Sequence, residues 1–94
     1  MRIKEGYELQ KLGEEYLILP VERKAQEVFG LLSLNEMEAV FWNFLKTENT
    51  LEGLMEAILR EYDVEREILE TDVEIFLEKL DRYQILKKDG CNHN

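Results

Sequence analysis

The first third of the chain alternates apolar and polar residues, which is the pattern of strands with one buried face. Tyr7 and Leu9 alternate with charged and amide side chains, and the alternation resumes over residues 15–19 after Gly13. A glycine between two alternating runs favours a hairpin turn. Residues 28–32 form a third short apolar run. The sequence therefore predicts a three-stranded antiparallel meander.

From Ser33 onward the apolar residues recur every three or four positions, which predicts helices with one buried face. Ser33 and Asn35 are alternative N-caps of a first helix, each with a glutamate three residues later, Glu36 or Glu38, that can close a capping box. Thr50 and Asp63 are candidate caps of a second and a third helix. The residues predicted to be buried on these helices are Met37, Val40, Phe41, Phe44 and Leu45; Leu51, Leu54, Met55, Ile58, Leu59 and Tyr62; and Ile68, Leu69, Val73, Phe76, Leu77 and Leu80.

Strands followed by helices predict an α+β domain in which the helices cover one face of the sheet. The second and third helices are expected to form a helix-turn-helix pair, so the whole resembles a winged helix-turn-helix. Residues 1–87 form one domain in this interpretation, with Ile85 and Leu86 packing back on the core. Residues 88–94 carry no apolar side chain beyond Cys91 and are expected to be a disordered tail.

Length and composition restrict the function classes. The 94 residues are 45% hydrophobic, which suits one small domain with a core and leaves no room for a two-domain enzyme. No apolar run approaches the roughly 20 residues that cross a bilayer. The first residues lack the pattern of a secretory signal. A cytoplasmic protein without a membrane partner is expected.

The residues that carry most enzyme chemistry are sparse. The single histidine, His93, lies two residues from Cys91 in the polar tail, and this pair lacks the further ligands of a structural zinc site. Ser33 and Thr50 are explained as helix caps, and no glycine-rich phosphate loop occurs. We therefore expect no catalytic residues, no metal and no cofactor.

Charge bears on the choice of partner. The 21 acidic and 12 basic residues give a net charge of −9, which repels nucleic acid. A winged helix-turn-helix is nevertheless an arrangement found in DNA-binding regulators, in which the third helix enters the major groove. Residues 65–82 contain seven acids against three bases. A DNA-binding transcriptional regulator is thus kept only as the alternative.

The third predicted strand offers an open sheet edge. Residues 28–32 contain neither a charge nor a proline, although soluble proteins usually blunt an exposed edge with one or the other. An extended peptide adds readily to such an edge. The third helix could equally cover it, so the pattern alone leaves peptide capture and structural packing open. An open edge also allows a homodimer or a strand-swapped form.

The chain resembles the PqqD family in an ordered set of short motifs. They are Gly30-Leu31-Leu32-Ser33-Leu34-Asn35-Glu36 with Ala39, Trp42 and Leu45; Gly6-Tyr7; Glu15-Tyr16-Leu17-Ile18-Leu19-Pro20; Glu61-Tyr62-Asp63-Val64; and the helix from Asp72 to Leu80. Met37 and Glu38 depart from the Thr and Gly of many relatives. The resemblance implies a RiPP recognition element, a non-catalytic domain that binds the leader of a ribosomally synthesised precursor peptide.

The resemblance also implies where the leader binds. Its backbone would pair with the third strand, and its side chains would enter a groove beside the third helix. The implied binding residues are Val28, Phe29, Gly30, Leu31 and Leu32 on the strand and Phe76, Lys79, Leu80 and Tyr83 on the helix. Core packing is an equal alternative for Phe76 and Leu80, and Lys79 and Tyr83 are expected at the rim.

A modifying enzyme is the second partner that the resemblance implies, and for a free-standing member this is a radical S-adenosylmethionine maturase. Trp42 is expected in the core rather than at a ligand. The basic pair Arg23-Lys24 adjoins the expected edge and is interpreted as solvated. The leader sequence and the modification are not encoded in this pattern.

Overall fold

The computed structural model describes residues 1–21 and 32–87. Within those ranges a sheet precedes three helices, as predicted for an α+β domain. The elements are β1 (Arg2–Ile3), β2 (Tyr7–Leu12), β3 (Glu15–Pro20), β4 (Leu32–Leu34), α1 (Glu36–Leu45), α2 (Leu51–Glu61), α3 (Arg66–Arg82) and β5 (Leu86–Lys87). The prediction of a three-stranded antiparallel sheet followed by three helices is confirmed.

The main sheet has the strand order β2-β3-β4, and both pairings are antiparallel. The hairpin between β2 and β3 turns at Gly13, whose φ of +67° lies in the left-handed region that favours glycine. β4 pairs with β3 through Leu32 opposite Ile18 and Leu34 opposite Tyr16. The strand therefore continues two residues past the predicted end at Leu32, and residues 28–31 lie outside the described ranges.

Side-chain caps fix the starts of two helices. Asn35 caps α1: its Oδ1 accepts the Glu38 N–H at 2.7 Å, and Glu38 Oε1 accepts the Asn35 N–H at 3.0 Å. Of the two alternative caps, Ser33 lies in β4. Thr50 Oγ1 accepts the Gly53 N–H at 3.0 Å at the start of α2, as predicted. The cap of α3 is Glu65 rather than Asp63, so that prediction was wrong by two residues.

The core lies between the three helices and the inner face of β3 and β4. Its buried members include Ile18, Leu32, Leu34, Phe41, Trp42, Leu45, Leu54, Met55, Ile58, Leu69, Val73, Phe76 and Leu80. The expectation that Trp42 belongs to the core is confirmed. Ile68 and Tyr62 were predicted to be buried and are exposed, because Ile68 points about 100° away from Leu69 around the helix and Tyr62 is the C-cap of α2.

A second, two-stranded sheet joins the first residues to those after α3. Ile3 lies opposite Leu86 and Arg2 opposite Lys87, and the Lys4 N–H donates to the Ile85 carbonyl at 2.8 Å. Gln84, at a φ of 61°, turns the chain back after α3. Ile85 and Leu86 are buried, as predicted, but the partner strand β1 was not anticipated.

No helix within residues 1–21 and 32–87 is both long enough and apolar enough to cross a bilayer.

Candidate functional site

The outer edge of β4 is the first component of the candidate site. β4 is the last strand of the main sheet, and no other described strand pairs with its outer side. Leu32 and Leu34 bury their side chains, whereas Ser33 is exposed. Every second residue of an edge strand directs its N–H and C=O away from its neighbour. The edge therefore offers backbone hydrogen bonds to another extended chain.

A single carboxylate connects the end of this strand to α3. Lys79 Nζ donates to Oε1 and Oε2 of Glu38, each at 3.0 Å, and Glu38 Oε1 also accepts the N–H of Asn35, the residue after β4. The Glu38 side chain is 11% exposed and that of Lys79 is 28% exposed. Glu38 thus fixes the position of α3 relative to the strand edge.

One side of α3 carries large apolar residues that the core does not use. Ile68 is 56% exposed, Ile75 is 54% exposed and Tyr83, at the C-cap, is 45% exposed. At about 100° per residue, Ile68, Ile75 and Lys79 fall within about 40° of one another around the helix. We name Ile68, Ile75, Lys79 and Tyr83 the α3 flank. Because Lys79 reaches Glu38, the Lys79 end of the flank borders the beginning of α1, the helix that follows β4, while Ile75 and Ile68 lie about one and three turns further toward the start of α3.

The buried side of α3 holds two residues that the resemblance implied as groove wall. Phe76 and Leu80 have no exposed surface, and the Phe76 ring contacts Phe41 edge-on with the ring centroids 5.6 Å apart. Their side chains belong to the core, the alternative that the sequence left open, and they support the flank from beneath. We name Leu69, Val73, Phe76 and Leu80 the core stripe.

The remaining implied residues divide into two groups. Leu32 lies in β4 with a buried side chain, Lys79 is partly buried in its ion pair, and Tyr83 is exposed. Outside the described ranges lie Val28, Phe29, Gly30 and Leu31, the Arg23-Lys24 pair, and Cys91 and His93 of the tail. Their predicted roles stay predictions.

Sequence reasoning missed the two isoleucines of the flank. Ile68 was assigned to the core, and Ile75 was not singled out. Their seven-residue spacing places both on one line along the helix, offset from the core stripe, and this spacing could have identified them. Glu38 was predicted to close a capping box with Asn35, which is confirmed, but its ion pair with Lys79, which joins residues 41 positions apart, was not predicted.

The described part of the site offers backbone hydrogen-bonding groups and apolar side chains. Across residues 1–21 and 32–87, no three His, Cys, Asp or Glu side chains are placed to hold a metal ion. Every buried side-chain nitrogen or oxygen in this part of the chain has a hydrogen-bond partner. The site combines a strand edge with which no other described strand pairs and, on α3, exposed aliphatic and aromatic side chains; strand edges and apolar surfaces of this kind are features that extended peptides use.

Comparison with known proteins gives two matches. The sequence family described as coenzyme PQQ synthesis protein D (PqqD) matches residues 15–86. A solved structure, TbiB1 in complex with the TbiA(beta) leader peptide, is similar with a TM-score of 0.69 and 23% sequence identity, over 93% of this chain and 95% of that chain. No curated protein matches the chain significantly.

Proposed function

Because the chain belongs to the PqqD family, we propose that it binds the leader segment of a ribosomally synthesised precursor peptide and presents it to a modifying enzyme. No catalytic step is assigned to its own side chains. The observation that carries the proposal is the outer edge of β4, whose end is joined through Glu38 to Lys79 of the α3 flank. The similar structure TbiB1 was solved with a leader peptide, which supports the same class of ligand.

In the proposed complex the leader adds as a further strand to β4. Backbone hydrogen bonds at the edge supply affinity that is largely independent of leader sequence, while contacts with Ile68 and Ile75 supply specificity. Tyr83 closes the end of the flank with an aromatic surface and a hydroxyl group. We further propose that Val28, Phe29, Gly30 and Leu31 lengthen this edge.

The ion pair between Glu38 and Lys79 has a positioning role in this proposal. It holds α3 at a fixed distance from the end of β4, so the strand edge and the flank face the leader as one surface. Because Lys79 is neutralised by Glu38, the centre of the flank is suited to apolar rather than charged leader side chains.

The proposed recipient of the bound leader is a modifying enzyme, of which a radical S-adenosylmethionine maturase is the expected type for this family. The cofactor chemistry would then reside wholly in that enzyme. The alternative of DNA binding finds no support in α3, since exposed carboxylates of Glu67, Glu70, Glu74 and Glu78 follow one another along its outer side.

Alternate amide methylation of the leader tests strand addition directly. A synthetic leader, taken from the precursor gene beside that of the chain, is N-methylated at one residue at a time, and each affinity is measured by calorimetry. Only every second amide of an added strand donates to β4, so methylation should weaken binding about tenfold at alternate positions and change it little between them.

Two results would contradict the proposal. An even loss of affinity at successive positions would mean that the leader is not bound as a strand. No binding of the unmodified leader, together with binding of a duplex DNA at moderate salt, would favour the regulator instead.

A further inference from the structure

A basic groove lies beside the two-stranded sheet of this acidic protein. Its lining consists of Arg2, Ile3, Lys4, Glu5, Leu45, Lys46 and Lys87, around a volume of about 690 Å³. Four of the chain's 12 cationic residues therefore converge in one place, although the net charge is −9. All four are exposed to solvent. We name these seven residues the basic groove.

The four cations of the groove outnumber its one carboxylate, Glu5, so their mutual repulsion is expected to lower stability. Arg2 and Lys87 are direct cross-strand partners, and like charges in that position destabilise a sheet. The strands that carry them are only two residues long, so few other contacts offset the repulsion. Neither of the ion pairs Arg66–Glu52 and Lys79–Glu38 involves a groove cation. An anion bound between Arg2 and Lys87 would convert this repulsion into attraction.

The apolar residues at the base of the groove indicate which kind of ligand fits it. Ile3 is half-buried and Leu45 is buried, so the cations surround an apolar base. Lys46, the C-cap of α1, is further favoured there by the negative end of the helix dipole. A simple inorganic anion would contact only the cations. A peptide segment with Asp or Glu on either side of an apolar residue would contact both the cations and the apolar base of the groove.

The basic groove and the β4 edge lie at opposite ends of α1. Asn35, which follows β4, caps the beginning of the helix, and Lys46 caps its end. The ten residues between them span about 15 Å along the helix axis. About five residues of extended peptide cover the same distance. The groove borders β2, the edge of the main sheet opposite β4, so a polypeptide bound at the β4 edge reaches it only through a connection longer than this.

We infer that the basic groove binds an acidic and apolar segment of the same precursor peptide, separated by more than about five residues from the segment that adds to β4. This inference rests on the proposed function. Exposed ion pairs are individually weak, and the acidic remainder of the surface repels an anionic partner that arrives from solution. A segment already held at β4 overcomes both effects through its high local concentration.

The first test uses a free peptide, Asp-Glu-Leu-Asp-Glu, titrated to millimolar concentration into the isotope-labelled chain. We expect backbone NMR shifts at Arg2, Lys4, Lys46 and Lys87. The double substitution Arg2→Gln/Lys87→Gln should abolish them without lowering the melting temperature, because it also removes the like-charge pair. The control Lys11→Gln/Arg60→Gln changes the net charge equally at exposed positions elsewhere and should leave the shifts in place.

Inorganic phosphate at the same concentration is the comparison ligand. Equal shifts with phosphate and with the peptide would mean an unspecific anion site, which would overturn the inference. Peptide shifts that persist in Arg2→Gln/Lys87→Gln would overturn it as well.

The second test compares the full precursor peptide with a peptide truncated to the segment that adds to β4. The full peptide should bind about tenfold more tightly to the wild-type chain, and this advantage should disappear in Arg2→Gln/Lys87→Gln. Equal binding of the two peptides to the wild-type chain would overturn the groove assignment and leave strand addition intact. Failure of both peptides to bind would instead contradict the proposed function itself.

Discussion

Two sides of α3 are expected to have different roles: the core stripe stabilises the fold, and the α3 flank is proposed to bind the leader. The core stripe of α3 is completely or almost completely buried, whereas Ile68 and Ile75 of the α3 flank are more than half exposed. Both sides are built from large apolar residues, so composition does not distinguish them. A rotation of about 100° around the helix axis determines whether such a residue packs in the core or is exposed at the surface.

The boundary between the two sides is marked by Lys79. Its side chain is too buried to be an ordinary surface cation, and it is paired with Glu38 rather than with solvent. Substitutions on the stripe should therefore change the free energy of unfolding, substitutions on the flank should change leader affinity, and those at the pair should change both. The free energy of unfolding and the leader affinity can be measured separately for a substitution at each of these positions.

The largest effect is expected at Phe76. Phe76→Ala leaves a cavity against Phe41 and should lower the free energy of unfolding by about 3–5 kcal/mol, measured by urea denaturation. Phe76→Leu retains most of the buried volume and should cost less than half as much. If Phe76→Ala kept full stability and lost only leader affinity, Phe76 would belong to the binding surface and the division would fail.

An intermediate effect is expected at Glu38. Glu38→Ala removes both the acceptor of the Asn35 N–H and the partner of Lys79, and it should cost about 2 kcal/mol in thermal or urea unfolding. It should also weaken leader binding, because α3 is no longer fixed relative to β4. Glu38→Gln keeps an acceptor for the cap and should recover roughly half of the lost stability. Equal losses of unfolding free energy in Glu38→Ala and Glu38→Gln would mean that the charge of Glu38 contributes more to stability than its hydrogen bond to the Asn35 N–H.

The smallest effect on stability is expected at Ile75. Ile75→Ser should change the free energy of unfolding by less than about 0.5 kcal/mol, because the side chain is mostly exposed. Leader affinity should nevertheless fall about tenfold in calorimetry. Leu12→Ser is the matched control, since Leu12 is similarly exposed on β2 at the other edge of the sheet. A comparable loss of affinity in the control would remove the special role of the flank.

Much of the fold follows from the residue pattern. Alternation in residues 7–19 predicted the β2-β3 hairpin, and capping residues such as Asn35 and Thr50 located two helix starts. β1 and β5 were missed because strands of two residues have no alternation to detect. Their existence depends on contact between opposite parts of the chain, which local patterns do not encode.

The candidate site was predictable only in outline. The resemblance to PqqD indicated the third strand and the third helix as the binding site. Two of the helix residues that it implied, Phe76 and Leu80, are instead buried in the core. The spacing of apolar residues locates the buried side of a helix only to within about one residue, which is 100° of rotation. Ile68, which is exposed, and Leu69, which is buried, differ by that one residue. The bond between Glu38 and Lys79 depends on how α1 packs against α3, so neither helix alone predicts it.

Glu38 also has a thermodynamic consequence. One carboxylate accepts hydrogen bonds from Asn35 at the end of β4 and from Lys79 on α3. The position of the strand end and the position of the Lys79 side chain are therefore coupled. Any ligand that shifts the end of the strand changes the stability of the Lys79 contact. Linkage is reciprocal, so a partner that displaces Lys79 must change the affinity of the edge by the same factor. In the proposed complex, an enzyme that displaced Lys79 would therefore respond to whether the strand edge is occupied.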